Sequence, residues 1–219
     1  NFWVPQSRNR VIFIWALNNS EIFFPIPNNN FITIKQAIWD LPKLKSWEVS
    51  DISNNIAMNH SEQMLQKMSF ISDWWTRLDI PEEIRPKTWD SRKYIRYNSN
   101  EPSITITWDM RKVFHYNQNR ALTVRELARI QTFPDDFIFE WNSISQQQQV
   151  WNAVPPKLAR ELAKIIKKMI WEESVFEEDK YSFPKINYIW NKDNEEYLAR
   201  EKYSPYALQQ ARNIVKYWT

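Results

Sequence analysis

No residue of this 219-residue chain is glycine, while thirteen are tryptophan. Glycine is the residue that reaches positive φ without steric cost, so a chain lacking it must build every left-handed turn from residues that carry a Cβ. At ordinary usage about fifteen glycines would be expected in this length. Several tryptophans stand where the local sequence asks for a turn: Trp74-Trp75 between polar runs, Trp47 in Lys-Ser-Trp-Glu, and Trp108 in Thr-Trp-Asp. The pattern predicts a systematic replacement, with tryptophan at positions whose backbone suits glycine.

The remaining composition narrows the chemistry. With 43% apolar residues the chain can bury one sizeable core. No stretch approaches the ~20 apolar residues that span a bilayer, and the N-terminus has no signal-peptide pattern, so a soluble, cytoplasmic protein is expected. Zero cysteines exclude disulfides, thiolate metal sites and a cysteine nucleophile supplied by this chain. The only histidines, His60 and His115, are isolated, and no metal is expected.

Residues 11–17, Val-Ile-Phe-Ile-Trp-Ala-Leu, form a continuous apolar run rich in β-branched and aromatic side chains, which predicts a buried strand. Residues 33–42 predict a short helix stopped by Pro42. Periodicity is weak over 43–116, which reads as irregular β and loop with a strand candidate at 104–107. Thr123-x-x-Glu126 has the spacing of a capping box and predicts a helix ending before Phe133-Pro134. A second helix should follow Pro155-Pro156, with Leu158, Leu162, Ile165, Ile166 and Met169 on one face, and a third should open at Ser204-Pro205.

Charge is unevenly placed. Between Arg85 and Arg129, ten Lys/Arg face four Asp/Glu, whereas from Trp171 onward nine acids face seven bases. A basic middle suits a polyanionic partner, although a solvated charged face is the commoner meaning of such a count.

Three segments then carry a resemblance. Residues 4–10, Val-Pro-Gln-Ser-Arg-Asn-Arg, precede the predicted strand; residues 120–135 read Arg-Ala-Leu-Thr-Val-Arg-Glu-Leu-Ala-Arg-Ile-Gln-Thr-Phe-Pro-Asp; residues 150–156 read Val-Trp-Asn-Ala-Val-Pro-Pro. In order and spacing they resemble motifs VIII, IX and X of the DNA cytosine-5 methyltransferase family, over roughly residues 1–170. Where the family places glycine this chain has Trp3, Trp141 and Trp151, and where the family has His-Pro it has His115-Tyr116. The family's glycine-rich cofactor loop, Pro-Cys nucleophile and Glu-Asn-Val motif are not found in this sequence. A fragment or one subunit of a split enzyme is therefore expected.

The resemblance implies an α/β fold: the C-terminal portion of a Rossmann-like, S-adenosylmethionine-dependent methyltransferase with a small mixed target-recognition domain. It implies residues 1–42 as the end of the catalytic domain, 43–119 as target recognition, 120–170 as the return to the catalytic domain, and 171–219 as an extension. Members flip a cytosine out of duplex DNA, add a thiolate to C6, and let C5 take the methyl group. By resemblance Arg10 holds the flipped base and nearby backbone, with Arg8 and Gln6 positioning it; two arginines before a strand, taken in isolation, are more often solvated edge charges, and the motif context reverses that reading. Asn152 and Ala153 resemble cofactor-facing residues, and an indole at Trp151 is expected to obstruct that approach. Arg120, Thr123 and Glu126 are assigned to organisation of the motif.

Thr105, with Ile106, resembles a pair near the flipped nucleotide. Arg85, Lys87, Arg92, Lys93, Arg96, Arg111 and Lys112 are candidate phosphate contacts, each open to the plainer reading of a surface charge. The expected partners are double-stranded DNA and an N-terminal half or subunit carrying the nucleophile, in a bacterial restriction-modification setting. A non-catalytic DNA-binding subunit is the alternative.

Overall fold

The capping box at Thr123 forms in full in the computed structural model. Thr123 Oγ1 accepts from the Glu126 amide at 3.1 Å, and Glu126 Oε2 accepts from the Thr123 amide at 2.8 Å. Two of the orphan donors at the helix start are thereby satisfied. Helix α3, Val124–Ile130, follows and ends at Gln131. Its exit is a Schellman turn: Thr132 donates to Arg129 O at 2.9 Å, Phe133 donates to Ala128 O at 2.9 Å, and Thr132 adopts φ 66° where glycine is usual. The Thr132 hydroxyl accepts from the Lys157 amide at 3.1 Å, which ties the end of α3 to the start of a later helix.

The structure describes residues 2–15, 22–27, 30–73, 76–88, 90, 92–107 and 109–171, all within one compact unit. Helix α1, Ile34–Ile38, is capped by Thr33 and Gln36 in the same reciprocal way. Helix α2 spans Glu62–Ser69. Short 3-10 turns at Arg77–Asp79 and Glu82–Ile84 lead to β1, Ile95–Arg96, which pairs in parallel with β2, Val113–Phe114. Helix α4, Ser143–Asn152, starts at an Asn142 cap. Helix α5, Pro156–Trp171, places its proline in the first turn, where the missing N–H costs nothing.

Fifteen buried residues make the main core, drawn from α1 (Ile34, Ile38), from 97–116 (Tyr97, Ile106, Met110, Val113), from α3 (Leu127, Ile130) and from α4 (Val150). One continuous core therefore runs across positions 42 and 119, and residues within 43–119 share their interior with α3. A smaller cluster of Met68, Ile71, Ile80, Tyr94 and Phe114 lies under α2.

Several expectations need correction. Over residues 11–15 there is no strand: Val11, Phe13 and Trp15 are exposed, and no sheet among the described residues offers them a ladder. An apolar run becomes a buried strand only where neighbouring strands exist to pair with it. Residues 16 and 17 and the helix expected from Ser204 lie outside the described residues. Residues 104–107 form no strand, and next to them only Ser103 makes a bridge, to Gln6. Within 43–116, read as irregular, α2 is a well-formed helix, and α4 was not foreseen.

The tryptophan expectation has a direct counterpart in the backbone. Among the described residues six have positive φ, and three of them are Trp3 (59°), Trp47 (73°) and Trp141 (77°). Trp151 differs. It lies inside α4, is half-buried, and packs against the main core. Trp74, Trp75 and Trp108 lie outside the described residues.

Candidate functional site

Residues from three separate stretches converge at the N-terminal segment. Residues 5–7 run alongside 103–105: Ser103 donates to Pro5 O at 2.9 Å, Ser7 donates to Ser103 O at 2.8 Å, and Thr105 Oγ1 donates to Ser7 O at 2.9 Å. The chain then reaches the end of α4. Arg8 Nη1 donates to Trp151 O at 3.0 Å, and Arg10 Nη2 donates to Ala153 O at 3.1 Å. Gln6, Arg8, Arg10, Thr105, Asn152 and Ala153 are thus brought to one place.

Within that site the roles divide by exposure. Arg10 is exposed and Arg8 half-buried, with the Arg8 pKa lowered by burial and then by the charge of Arg10. Two like charges side by side are kept apart by anchoring each fork to a different carbonyl. Gln6 is buried, and among the described residues neither end of its amide has a hydrogen-bond partner. Burial of the Tyr97 phenol raises its pKa. Asn152 is exposed at the last position of α4. The carbonyls on either side of it are occupied by Arg8 and Arg10, which leaves its amide side chain as the group there that faces outward.

The basic residues fall into two groups. Arg92, Lys93, Arg111 and Lys112 remain toward the surface. Arg92 grips Asp90, Lys93 and Arg111 share Asp109, and Lys112 stands 5.5 Å from the centre of the Tyr94 ring. Burial pushes the Asp109 carboxyl up, but hydrogen bonds from Arg111 and Lys93 hold it below the usual carboxylate range. Arg85 is tied to Ile80 O and Leu78 O.

Arg96, expected at the phosphate backbone, is withdrawn from that role. It is 6% exposed, and its five N–H groups all have acceptors: Ile71 O, His115 O, Gln118 O, Met68 O and Asn119 Oδ1, at 2.6 to 2.9 Å. A guanidinium offers five donors, so none is left for a phosphate. Its work is to join the end of α2 to the 115–119 turn.

Arg120, Thr123 and Glu126 are organisational in geometry as well. Arg120 meets both oxygens of Glu126 and also donates from Nε to Leu44 O at 3.1 Å. His115 Nε2 lies 3.5 Å from Glu126 Oε1. Sequence reasoning missed the two carboxylates that hold the basic surface, Asp90 and Asp109. Their signal was an aspartate two residues before an arginine, in Asp90-Ser-Arg92 and Asp109-Met-Arg111, a spacing at which a turn lets the carboxylate reach the guanidinium.

Among the described residues there is no cluster of metal-ligating side chains and no helix long and apolar enough to cross a membrane. Residues 1–168 match the family model of the C-5 cytosine-specific DNA methylases. The chain is 56% identical over 170 residues to the Type II methyltransferase M1.HphI of Haemophilus parahaemolyticus, covering 77% of this chain and 46% of that protein. It is 35% identical to the Type II methyltransferase M.MthTI of Methanothermobacter thermautotrophicus (77% and 53% covered), and 33% identical to M.NgoFVII of Neisseria gonorrhoeae (75% and 46%). The chain spans about half the length of these curated relatives. A solved structure described as a DNA modification methyltransferase encoded within an Escherichia coli prophage superposes with a TM-score of 0.50 at 20% identity, over 63% of this chain and 47% of that one, a likeness of fold. On the family match and the 56% relative, the chain belongs to the C-5 cytosine-specific DNA methylase family.

Proposed function

We propose that this chain supplies the base-clamping and DNA-recognition part of a DNA (cytosine-5-)-methyltransferase of a restriction-modification system, acting with an N-terminal half or subunit that carries the Pro-Cys nucleophile. The observation that carries the reading is the pair of bonds from Arg8 to Trp151 O and from Arg10 to Ala153 O. They hold the motif VIII arginines against the motif X residues, so the group that grips the base is referenced directly to the edge of the cofactor pocket. Orientation of this kind supplies much of what a two-substrate transfer needs.

Arg10 and Arg8 hold the flipped cytosine and its backbone through fixed, always-charged forks. Backbone bonds from Ser103 to Pro5 and from Ser7 to Ser103 hold the segment that carries Gln6, and Thr105 fixes Ser7 next to it. Asn152 and Ala153 fit one edge of S-adenosylmethionine: an exposed amide with both neighbouring carbonyls already satisfied can meet a polar ligand without competition. When bound, that cofactor supplies the methyl group. Arg92, Lys93, Arg111 and Lys112 hold duplex phosphates. The functional division at residues 42, 119 and 170 is kept as a division of roles laid over one packed core.

The test is methyl transfer from S-adenosylmethionine to duplex DNA by this chain combined with a matching N-terminal half. Activity of the pair that is lost in Arg10→Ala is the expected result. Methylation by this chain alone, or full activity of the Arg10→Ala pair, overturns the proposal.

A further inference from the structure

The basic side chains proposed to meet DNA are not bare charges. Arg92 closes a fork on Asp90, Nε to Oδ1 at 3.0 Å and Nη2 to Oδ2 at 3.3 Å. Asp109 is shared: Lys93 Nζ reaches Oδ2 at 3.3 Å and Arg111 Nε reaches Oδ1 at 3.0 Å. The layering is unequal. The Asp109 side chain is 6% exposed, whereas that of Arg111 is 56% and that of Lys93 27% exposed, so the acid lies beneath and the cations stand above it.

A carboxylate in that position is too deep to accept from a base edge and has the wrong sign for a phosphate. It acts on DNA only through its two partners, in two ways. It fixes the spacing and direction of a guanidinium and an ammonium that would otherwise sweep freely, and it cancels one of their charges. Sequence-independent binding is driven by cations neutralising phosphates and releasing counterions, and it tolerates any arrangement of those cations. A pair already matched to an internal carboxylate gains less from an arbitrary stretch of backbone.

We infer that Asp109 is a specificity-determining positioning residue, holding Lys93 and Arg111 as a charge-trimmed pair that suppresses non-specific DNA binding. The inference rests on the reading of this face as DNA-binding. A substitution of Asp109 should therefore tighten binding to the wrong DNA. A residue that served only to hold the fold would weaken binding when changed.

The experiment uses the complete methyltransferase with Asp109→Asn, which keeps size and an acceptor while removing the charge. Equilibrium binding to a random-sequence duplex is measured between about 50 and about 200 mM salt. Expected for Asp109→Asn is severalfold tighter binding at low salt and a plot of log K against log salt steeper by about one, since each added phosphate contact contributes about 0.9. Arg111→Gln, an exposed change that does not threaten the fold, should make the slope shallower by about one. An Asp109→Asn protein with a wild-type melt and an unchanged or weaker random-duplex affinity overturns the inference, as does an Arg111→Gln slope equal to wild type. Failure of the wild-type enzyme to bind the duplex in a salt-dependent way overturns instead the underlying assignment of this face to DNA.

Discussion

Arg120 closes a two-pronged fork on Glu126 inside the protein, Nη1 to Oε2 at 2.8 Å and Nη2 to Oε1 at 2.6 Å, with both side chains 1% exposed. Glu126 also returns to the Thr123 amide, and Arg120 also reaches Leu44 O, so the ion pair links the start of α3 to the chain beyond α1. Removing one partner strands the other's charge without water. Glu126→Gln should cost about 3–5 kcal/mol in urea unfolding, and Arg120→Lys should not rescue the fold because one ammonium cannot reproduce the fork. A loss below about 1 kcal/mol for Glu126→Gln would show that the pair is not carrying the motif.

Arg10 makes the opposite prediction. It is exposed and its bond to Ala153 O is one neutral acceptor's worth, so Arg10→Ala should cost less than about 1 kcal/mol of stability. On the proposed function, methyl transfer by the chain combined with an N-terminal half should nevertheless fall on the order of a hundredfold to a thousandfold, the scale for losing one aligned donor in an active site. Parallel melting curves and kcat/KM values for DNA separate the two effects. Matching losses in both would mean that the arginine is structural.

His115 gives the fold a pH dependence with a definite sign. Burial, opposed by Glu126 and reinforced by Arg120 and Arg96, pushes its pKa from 6.5 down to about 4. The ring stacks on Tyr116 at 4.4 Å between centroids, and its Nδ1 accepts from the Asn117 amide at 3.1 Å. As pH falls through about 6.5 the unfolded chain takes up a proton that the folded chain refuses. Stability is therefore full above that point and declines toward the folded pKa, by roughly 3 kcal/mol in total. His60, also lowered by burial, adds in the same direction. Melting temperatures between about pH 7.5 and about pH 5 should drop in the wild type and stay much flatter in His115→Gln; equal slopes would refute the assignment.

The tryptophans divide into two kinds with opposite expected responses. Trp141 is 82% exposed at φ 77°, so its ring packs on little and its Cβ crowds the backbone. Trp141→Gly should raise stability by about 1 kcal/mol. Trp151 sits in α4 against the core, and Trp151→Gly should lower stability by about 2 kcal/mol or more through lost packing and a glycine inside a helix. Thermal melts of the two variants decide the matter. The same sign for both would mean that backbone φ does not sort these positions.

What could be read from the sequence was what short-range chemistry determines. The Thr123–Glu126 box and the Pro156 helix start depend on groups within one turn, and both form where expected. Helix α2 escaped notice because its apolar positions, Met64, Leu65 and Met68, mark barely two turns, and α4 because Gln146 to Gln149 conceal the single deeply buried Val150. Arg96 was misplaced because an arginine's letter reports its charge and not its company. The company here is five acceptors, four of them backbone carbonyls set by distant turns. Residues 11–15 failed differently: their pattern was that of a strand, but a strand is a relation to neighbours, and the one sheet among the described residues, β1 with β2, does not include them.

On the proposed function, the anchoring of Arg8 on Trp151 O and Arg10 on Ala153 O would give the enzyme a thermodynamic property as well as a shape. If the arginine segment settles when DNA is held and the α4 terminus settles when cofactor is held, each ligand meets a protein the other has already partly ordered. Such linkage is reciprocal: whatever factor DNA gains from cofactor, cofactor gains from DNA. Two hydrogen bonds of ordinary length would then favour the ternary complex over either binary one, so that an enzyme scanning DNA without a methyl donor would let go sooner than one that is charged.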